Sequence, residues 1–406
     1  MKTPNLATRE QCTGCGACSA VCNNNSIFVG RERDGHYYPK INQQVCIGCL
    51  QCEKVCPICS SFEYGSNCLI SKPLKAWNNN NNQRLASSSG GVFSAMAYQF
   101  IREGGYISGA VVDKLTIKHI VTCELGDISR IQGSKYLQSE TVEAYKRIVE
   151  LLPTTKVLFS GTGCQIAGLL CLVKKKCPNY MDNLFCVDVV CDGVPSYRLL
   201  EKTVETIQSD DVAIVSFRNK SRGWNKTPKE LILKINGIDT NLGEDNLMIC
   251  GFNKSLTSRF SCYDCKFAFT DRISDATIAD FWGLENETEE NLHKGVSLVV
   301  VHSQKGYELL KRANIQFASV DWAMATNKNF RLYQGRKPSF ADTWLRKHIC
   351  YMFDHFSYNT LFKFYGVSLS SRYDVVGMLI RSWYRGLNKK MKHFMKNNKI
   401  KCNGKG

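Results

Sequence analysis

The strongest constraint on this chain is a duplicated cysteine pattern near its N-terminus. "CTGCGACSAVC" places Cys12, Cys15, Cys18 and Cys22, and "CIGCLQCEKVCP" places Cys46, Cys49, Cys52 and Cys56 ahead of Pro57. Both runs read C-x2-C-x2-C-x3-C. The x2 steps let one loop wrap three corners of a cubane, while the fourth cysteine of each run ligates the other cluster. The spacing therefore predicts one [4Fe–4S] cluster on Cys12, Cys15, Cys18 and Cys56, and a second on Cys46, Cys49, Cys52 and Cys22. All-cysteine zinc sites use two pairs, not two evenly stepped quartets. Gly14, Gly16 and Gly48 leave room for backbone N–H groups to approach the sulfurs. Residues 1–76 are predicted to form a two-cluster, ferredoxin-like domain of short connections.

The remaining composition sets the context. With 406 residues the chain can bury a sizeable core. No apolar run is long enough to cross a bilayer. The start "MKTPNLATREQC" has no apolar signal-peptide core, which predicts a cytoplasmic chain. In that compartment the 21 cysteines read as reduced thiols and metal ligands, not disulfides. Cys59 and Cys68 fall outside the quartets and are expected to pack as small hydrophobes. The net charge is +17, and from Arg336 onward there are fifteen basic residues against three acidic ones. The closing stretch, "RSWYRGLNKKMKHFMKNNKIKCNGKG", interleaves aromatic residues with basic ones. It reads either as a solvated basic tail or as an amphipathic helix in peripheral contact with an anionic membrane. No nucleic-acid-binding module is present.

Along the chain, "WNNNNNQRLA" over 77–86 reads as an Asn-rich linker. From Ser87, strand-like runs alternate with helical ones. "YISGAVVD", "KVLFSG" and "LFCVDVVC" read as strands, "CQIAGLLCLV" as an apolar helix, and "ELILKINGIDTNL" as a hairpin turning at Asn236-Gly237. The expected fold class is α+β or mixed α/β, with a ferredoxin domain followed by a mixed α/β domain over 87–330 and a basic, aromatic-rich extension over 331–406.

Seven segments occur in a telling order: "SSSGGVFSAMA", "QGSKYLQS", "LFSGTGCQIAGL", "VDVVCDGVPS", "FRNKSRGW", "SCYDCKF" and "RISDATIADFWG". Together with the quartets they resemble the family of coenzyme F420 hydrogenase/dehydrogenase beta subunits, over residues 1 to about 315. The resemblance implies an iron–sulfur flavoprotein that passes electrons between a ferredoxin-like partner and a small substrate or deazaflavin-type cofactor through FAD. One branch is associated with surface polysaccharide biosynthesis. It further implies FAD contacts from Ser88, Ser89, Gly90, Gly91, Gly133, Ser134, Lys135, Tyr136, Ser160, Gly161, Thr162, Gln165, Asp280 and Trp282. The residues themselves are compatible with this: a serine- and glycine-rich turn opening a helix suits phosphate, although a helix cap or tight turn is the plainer role of each. Lys135, Arg218, Arg222 and Arg272 are candidate anion holders, with ordinary surface charge as the alternative for Arg218 and Arg222. Two positions depart from the family pattern. Gly163 stands where Pro is common and is expected to loosen the turn, and Asp192 stands where His is common.

The resemblance also places four cysteines on family motifs: Cys164, Cys191, Cys262 and Cys265. Cys164 and Cys191 follow strands, and C-terminal strand ends of an α/β sheet share an edge. A third [4Fe–4S] cluster there is one expectation; a four-thiolate zinc site and unligated core thiols are the others. An enzyme of this kind implies a ferredoxin or other redox protein and a small-molecule substrate as partners. Homo-oligomer and hetero-complex both stay open, and so does a non-catalytic electron-transfer subunit of a larger redox complex.

Overall fold

The computed structural model describes residues 2–60, 62, 72–226, 229–255, 257–336 and 340–366. The basic stretch beyond 366, and Cys68, lie outside the described residues. The N-terminal hairpin pairs β1 (Ile27–Arg31) with β2 (Tyr37–Ile41). There follow β3 (Lys72–Asn78), β4 (Tyr106–Asp113), β5 (Thr116–Thr122), β6 (Ser139–Glu140), β7 (Val157–Thr162) and β8 (Leu184–Val189). A smaller antiparallel sheet comprises β9 (Val212–Arg218), β10 (Lys229–Ile235) and β11 (Ile238–Asn241). The chain then returns through β12 (Ala276–Asp280), β13 (Ser297–Val301) and β14 (Ile315–Ser319).

The large sheet has nine strands in the order β14-β3-β13-β12-β8-β7-β4-β5-β6. Its centre, β12-β8-β7-β4, is parallel, and β3, β13 and β14 pair antiparallel on one side. The expected mixed α/β class is the observed one. The apolar runs are central strands because both faces are covered: Leu158 and Val299 are fully buried, packed among Met96 and Leu310 of flanking helices. Asn236 and Gly237 both take positive φ, 50° and 81°, which suits a two-residue turn between β10 and β11.

The stretch read as a linker over 77–86 is folded instead. Asn78 ends β3 and is 1% exposed; its side-chain amide donates to Gln83 Oε1 (2.8 Å) and Ser94 Oγ (3.2 Å). Asn80 caps the helix Asn81–Ala86 by accepting from the Gln83 N–H at 3.1 Å. Asn is a cap and turn former as much as a linker residue, so a run of it is ambiguous. With β3 in the large sheet, the quartet-bearing segment stops short of residue 72.

That segment is held on the large domain by its loop carbonyls. Gln138 Nε2 donates to Gly14 O (2.8 Å) and Thr141 Oγ1 to Cys15 O (2.6 Å). Arg259 Nη1 and Ser261 Oγ both donate to Cys12 O, at 2.9 and 3.1 Å. On the other flank Ser196 Oγ donates to Asp34 O at 2.7 Å.

Candidate metal and cofactor site

Cys12, Cys15, Cys18 and Cys56 line one small cavity. These are three members of the first run and the last of the second, the crossed set that the spacing predicts. Gly14 and Gly16 take φ of 69° and 84°, so the loop can wrap inward between successive cysteines. Burial pushes the Cys12, Cys15 and Cys18 thiols up, and neighbouring thiols add to it. In the other set, burial pushes Cys52 up to about 11, with Cys49 contributing. Cys22 is partly buried, which acts upward, but the Ser26 hydroxyl at 3.0 Å and nearby backbone N–H groups hold its thiol below the ordinary value. Cys59 lies beside Cys56 and Cys12, not in a separate apolar core.

The second cavity, of about 290 Å³, is lined by Cys164, Cys191, Cys262 and Cys265. Topology explains the meeting. Thr162 at the end of β7 pairs with Val189 at the end of β8, and β12 runs parallel beside β8. Cys164 and Cys191 thus each follow a strand end by two residues on one sheet edge. The Cys262–Cys265 loop is brought to that edge by the Arg259 N–H donating to Val194 O at 2.9 Å. Burial pushes Cys164 up to about 12 and raises Cys191 and Cys265, and neighbouring thiols of the set raise Cys164 and Cys191 further. Part-buried thiols whose ionisation is disfavoured become thiolates most readily against concentrated positive charge, which a metal centre supplies. Among the described residues, no three His, Cys, Asp or Glu side chains lie close enough together to hold a single metal ion.

The two cavities are neighbours. The helix Gly163–Lys176 begins beside Cys164, and at Gly168 a side-chain carbon would lie 2.8 Å from Cys15 Sγ. Cys164 is in turn one of the thiols that raise Cys15. One turn further along, Cys171 is close to Cys56. Gly163 does not loosen this turn. It is buried, with Phe267 Cβ 3.0 Å from where its own Cβ would sit. Thr162 and Gln165 form a reciprocal capping box that fixes the helix start, and Gln165 Nε2 also donates to Ser139 Oγ at 2.9 Å.

Asp192 is not an isolated acid. It accepts from Arg331 Nε at 2.7 Å and from Arg336 Nη2 at 3.1 Å, at the mouth of the second cavity. Neither arginine carried a sequence signal, since both lie beyond the recognisable motifs. Arg272, a candidate anion holder, is spent inside the protein. It is 4% exposed, pairs with buried Asp188 at 2.7 Å and donates to the Leu332 carbonyl.

The residues assigned to FAD divide into two groups. Ser88, Ser134, Tyr136, Asp280 and Trp282 converge beside the strand edge. Ser134 donates through N–H and Oγ to Ser88 Oγ (2.6 and 2.9 Å), and Tyr136 stacks on Phe252 at 4.6 Å. Asp280, the last residue of β12, accepts from Arg218 Nη1 (2.6 Å) and Trp224 Nε1 (2.7 Å). Trp282 stacks on Trp224 at 5.0 Å and is 39% exposed. Other members are occupied within the protein. Lys135 Nζ donates to the carbonyls of Arg130, Ile131 and Gln132 and so ends the helix Ile128–Ile131. Ser89 Oγ donates to Val296 O, and Gly90 is required because a Cβ there would meet Ala76 O at 2.6 Å. Gly91 caps the next helix at φ 77°, and Gly133 takes φ 84° with open space around it. Ser160 and Gly161 belong to β7, where the Ser160 carbonyl meets His119 Nε2 at 2.9 Å. An exposed indole, an adjacent arginine and paired serines fit an aromatic, anion-bearing cofactor, whereas the Lys135 ammonium does not reach one. Arg222 pairs with Glu230.

Residues 154–320 match the family model for the C-terminal region of the coenzyme F420 hydrogenase/dehydrogenase beta subunit, and residues 11–58 match the 4Fe-4S dicluster domain. The F subunit of the F(420)H(2) dehydrogenase of Methanosarcina mazei is 25% identical over 174 residues, 40% of this chain and 49% of the relative. The chain thus spans about half the length of that curated relative. A chain of the F420-reducing [NiFe] hydrogenase complex from Methanosarcina barkeri superposes with a TM-score of 0.44 at 18% identity, covering 72% of this chain and 90% of that one. The chain thus combines a region similar to the C-terminal part of coenzyme F420 hydrogenase/dehydrogenase beta subunits with a 4Fe-4S dicluster domain ahead of it.

Proposed function

We propose that this chain is an iron–sulfur electron-transfer subunit of a larger oxidoreductase assembly, with a third [4Fe–4S] cluster on Cys164, Cys191, Cys262 and Cys265 beside a flavin site. One observation carries the reading. These four thiols line one cavity at the strand edge, and Cys164 also lies next to Cys15 of the first quartet. The Cys12/Cys15/Cys18/Cys56 set then neighbours both the strand-edge set, through Cys15 and Cys164, and the Cys22/Cys46/Cys49/Cys52 set, through Cys18 and Cys52; exposed Cys49 makes the latter the outermost set. A cavity too wide for one ion, with four thiols on its wall, supports a multi-iron cluster over zinc.

The flavin is assigned to Ser88, Ser134, Tyr136, Arg218, Asp280 and Trp282. When bound it supplies two-electron hydride chemistry. The protein's own part would be to offer the Trp282 indole as an aromatic surface and to orient Arg218 by its pair with Asp280. The name of the Methanosarcina mazei relative refers to F420H2, so a deazaflavin is the substrate class we assign to this site. A ferredoxin-like protein or a catalytic partner chain is assigned to the outermost set.

Anaerobically purified protein tests the reading. About twelve irons per chain are expected at four per cluster. A count of about eight would remove the strand-edge cluster. A flavin absorbance band bleached by reduced deazaflavin is the expected optical signature. If no flavin is present while all clusters are retained, the chain serves as an electron carrier alone.

A further inference from the structure

Arg259 is among the most deeply buried charged side chains of the molecule, 1% exposed, and among the described residues no carboxylate lies within ion-pairing distance of it. Its neighbours are neutral. Nη1 donates to Cys12 O at 2.9 Å, and Nη2 donates to Tyr37 O and to Gln138 Oε1 (3.2 Å). The guanidinium stands over the Tyr38 ring at 4.4 Å, and Nε is buried without a partner. A buried charge without a counter-charge is costly, by several kcal/mol in general, so it is retained where something compensates it.

What surrounds it are thiols. Arg259 sits three residues before Cys262, and its own carbonyl accepts from the Cys262 N–H at 3.0 Å. Its side chain reaches the Cys12–Cys15 loop, where a Cβ on Gly14, itself at φ 69°, would lie 2.5 Å from Nη2. The same guanidinium is felt by Cys12 and by Cys164, one thiol from each of the two inner sets. A [4Fe–4S] cluster with four thiolates is net negative in both redox states, and its charge belongs in the electrostatics of its surroundings.

We infer that Arg259 is a positioning residue that acts as the shared counter-charge of the two inner clusters, favouring an electron on either of them over the outermost one. The inference rests on the three-cluster reading. A fixed positive charge in a poorly polarisable interior acts on both neighbours and is hardly screened by salt. The arrangement therefore raises the potentials of both inner clusters, whichever direction electrons take.

Redox titration of anaerobic protein, followed by electron paramagnetic resonance, tests this with Arg259→Gln and Arg259→Lys. Arg259→Gln is expected to lower two of the three midpoint potentials by at least a tenfold shift in the reduction equilibrium, about 59 mV for a one-electron couple, and to leave the third unmoved. Arg259→Lys, which keeps the charge, should shift them much less. Unmoved potentials in Arg259→Gln, or equal shifts in both variants, would overturn the inference. If Arg259→Gln fails to keep its iron, a selective loss from the inner sets that Arg259→Lys repairs supports it, and loss of all iron in both variants makes Arg259 a packing residue. A wild-type count of about eight irons removes the third cluster itself, whereas about twelve irons with unmoved potentials removes only the role given to Arg259.

Discussion

Two buried ion and proton sites near the strand edge have measurable consequences at the scale of single residues. Asp188 and Arg272 are 1% and 4% exposed and 2.7 Å apart, and Ser274 Oγ also donates to Asp188 at 2.9 Å. Removing one partner leaves the other charge buried alone, so Asp188→Asn should cost about 3–5 kcal/mol. Anaerobic denaturant unfolding would read this as a lowered midpoint, and an unchanged midpoint would show the pair to be dispensable. His119 is the second case. Burial pulls its imidazole down from 6.5 to about 4, with its Nε2–H donating to Ser160 O. The folded value is depressed, so the unfolded chain takes up the proton first as the pH falls. The stability contribution is complete above about pH 6.5 and is lost towards pH 4, by roughly 3 kcal/mol in total. His302, also pulled down to about 4 by burial, acts in the same window. The difference in unfolding midpoint between wild type and His119→Phe should therefore shrink as the pH drops from 7 to 5. A pH-independent difference would mean that His119 is not buried in its neutral form.

Among the elements, the helix Gly163–Lys176 links the site to the fold, since it starts at Cys164 and passes Cys15 at Gly168. Its two small-residue positions respond oppositely to substitution. Thr162→Ala removes half of the capping box, together with the hydroxyl 3.2 Å from Cys164 Sγ, and should cost about 1 kcal/mol. Gly168→Ala should gain as much as about 1 kcal/mol of helix propensity. It also pushes a methyl to 2.8 Å from Cys15 Sγ, which a cluster ligand cannot yield to. We expect Gly168→Ala to lose the irons of that cluster, about four per chain, in a fully folded protein; retention of all the iron would show that the Cys15 loop can shift. This helix also marks what the sequence makes legible. Its apolar run, the strands on either side and the Asn236-Gly237 hairpin follow from local pattern, because period and turn chemistry are written in neighbouring residues. The capping box needed only Thr162 and Gln165 at their spacing. Asn78 is not legible in this way, because an amide that closes a strand inside a sheet has the same local signature as one in a linker. The meeting of Cys164 with Cys191 was legible only through the rule that strand ends share an edge. The clamp of Arg331 and Arg336 on Asp192, and the burial of Arg259, depend on contacts made across more than sixty residues and leave no periodic trace.

For the whole molecule, the governing quantity is charge. The net +17 gives the chain a strongly positive field, and the outermost quartet presents exposed Cys49 to any redox partner. A field of this sign steers acidic partners and speeds encounter, an effect that salt screens over about 8–10 Å. Electron exchange with an acidic ferredoxin should therefore slow by about tenfold or more between about 50 and 500 mM salt, since steered association falls steeply with ionic strength. Where the steering charge resides can be separated. Residues 367–406 carry ten Lys or Arg and one Asp, so deleting them lowers the net charge from +17 to +8. If the tail steers the partner, the deletion should flatten the salt dependence while iron content and the midpoint potentials stay as in the full chain. If it serves another surface, such as an anionic membrane, the deletion should leave the salt dependence of ferredoxin exchange intact and abolish binding to anionic vesicles instead. An exchange rate that ignores salt in the full chain would mean that the partner docks through uncharged surface, and would count against an acidic ferredoxin as the physiological partner.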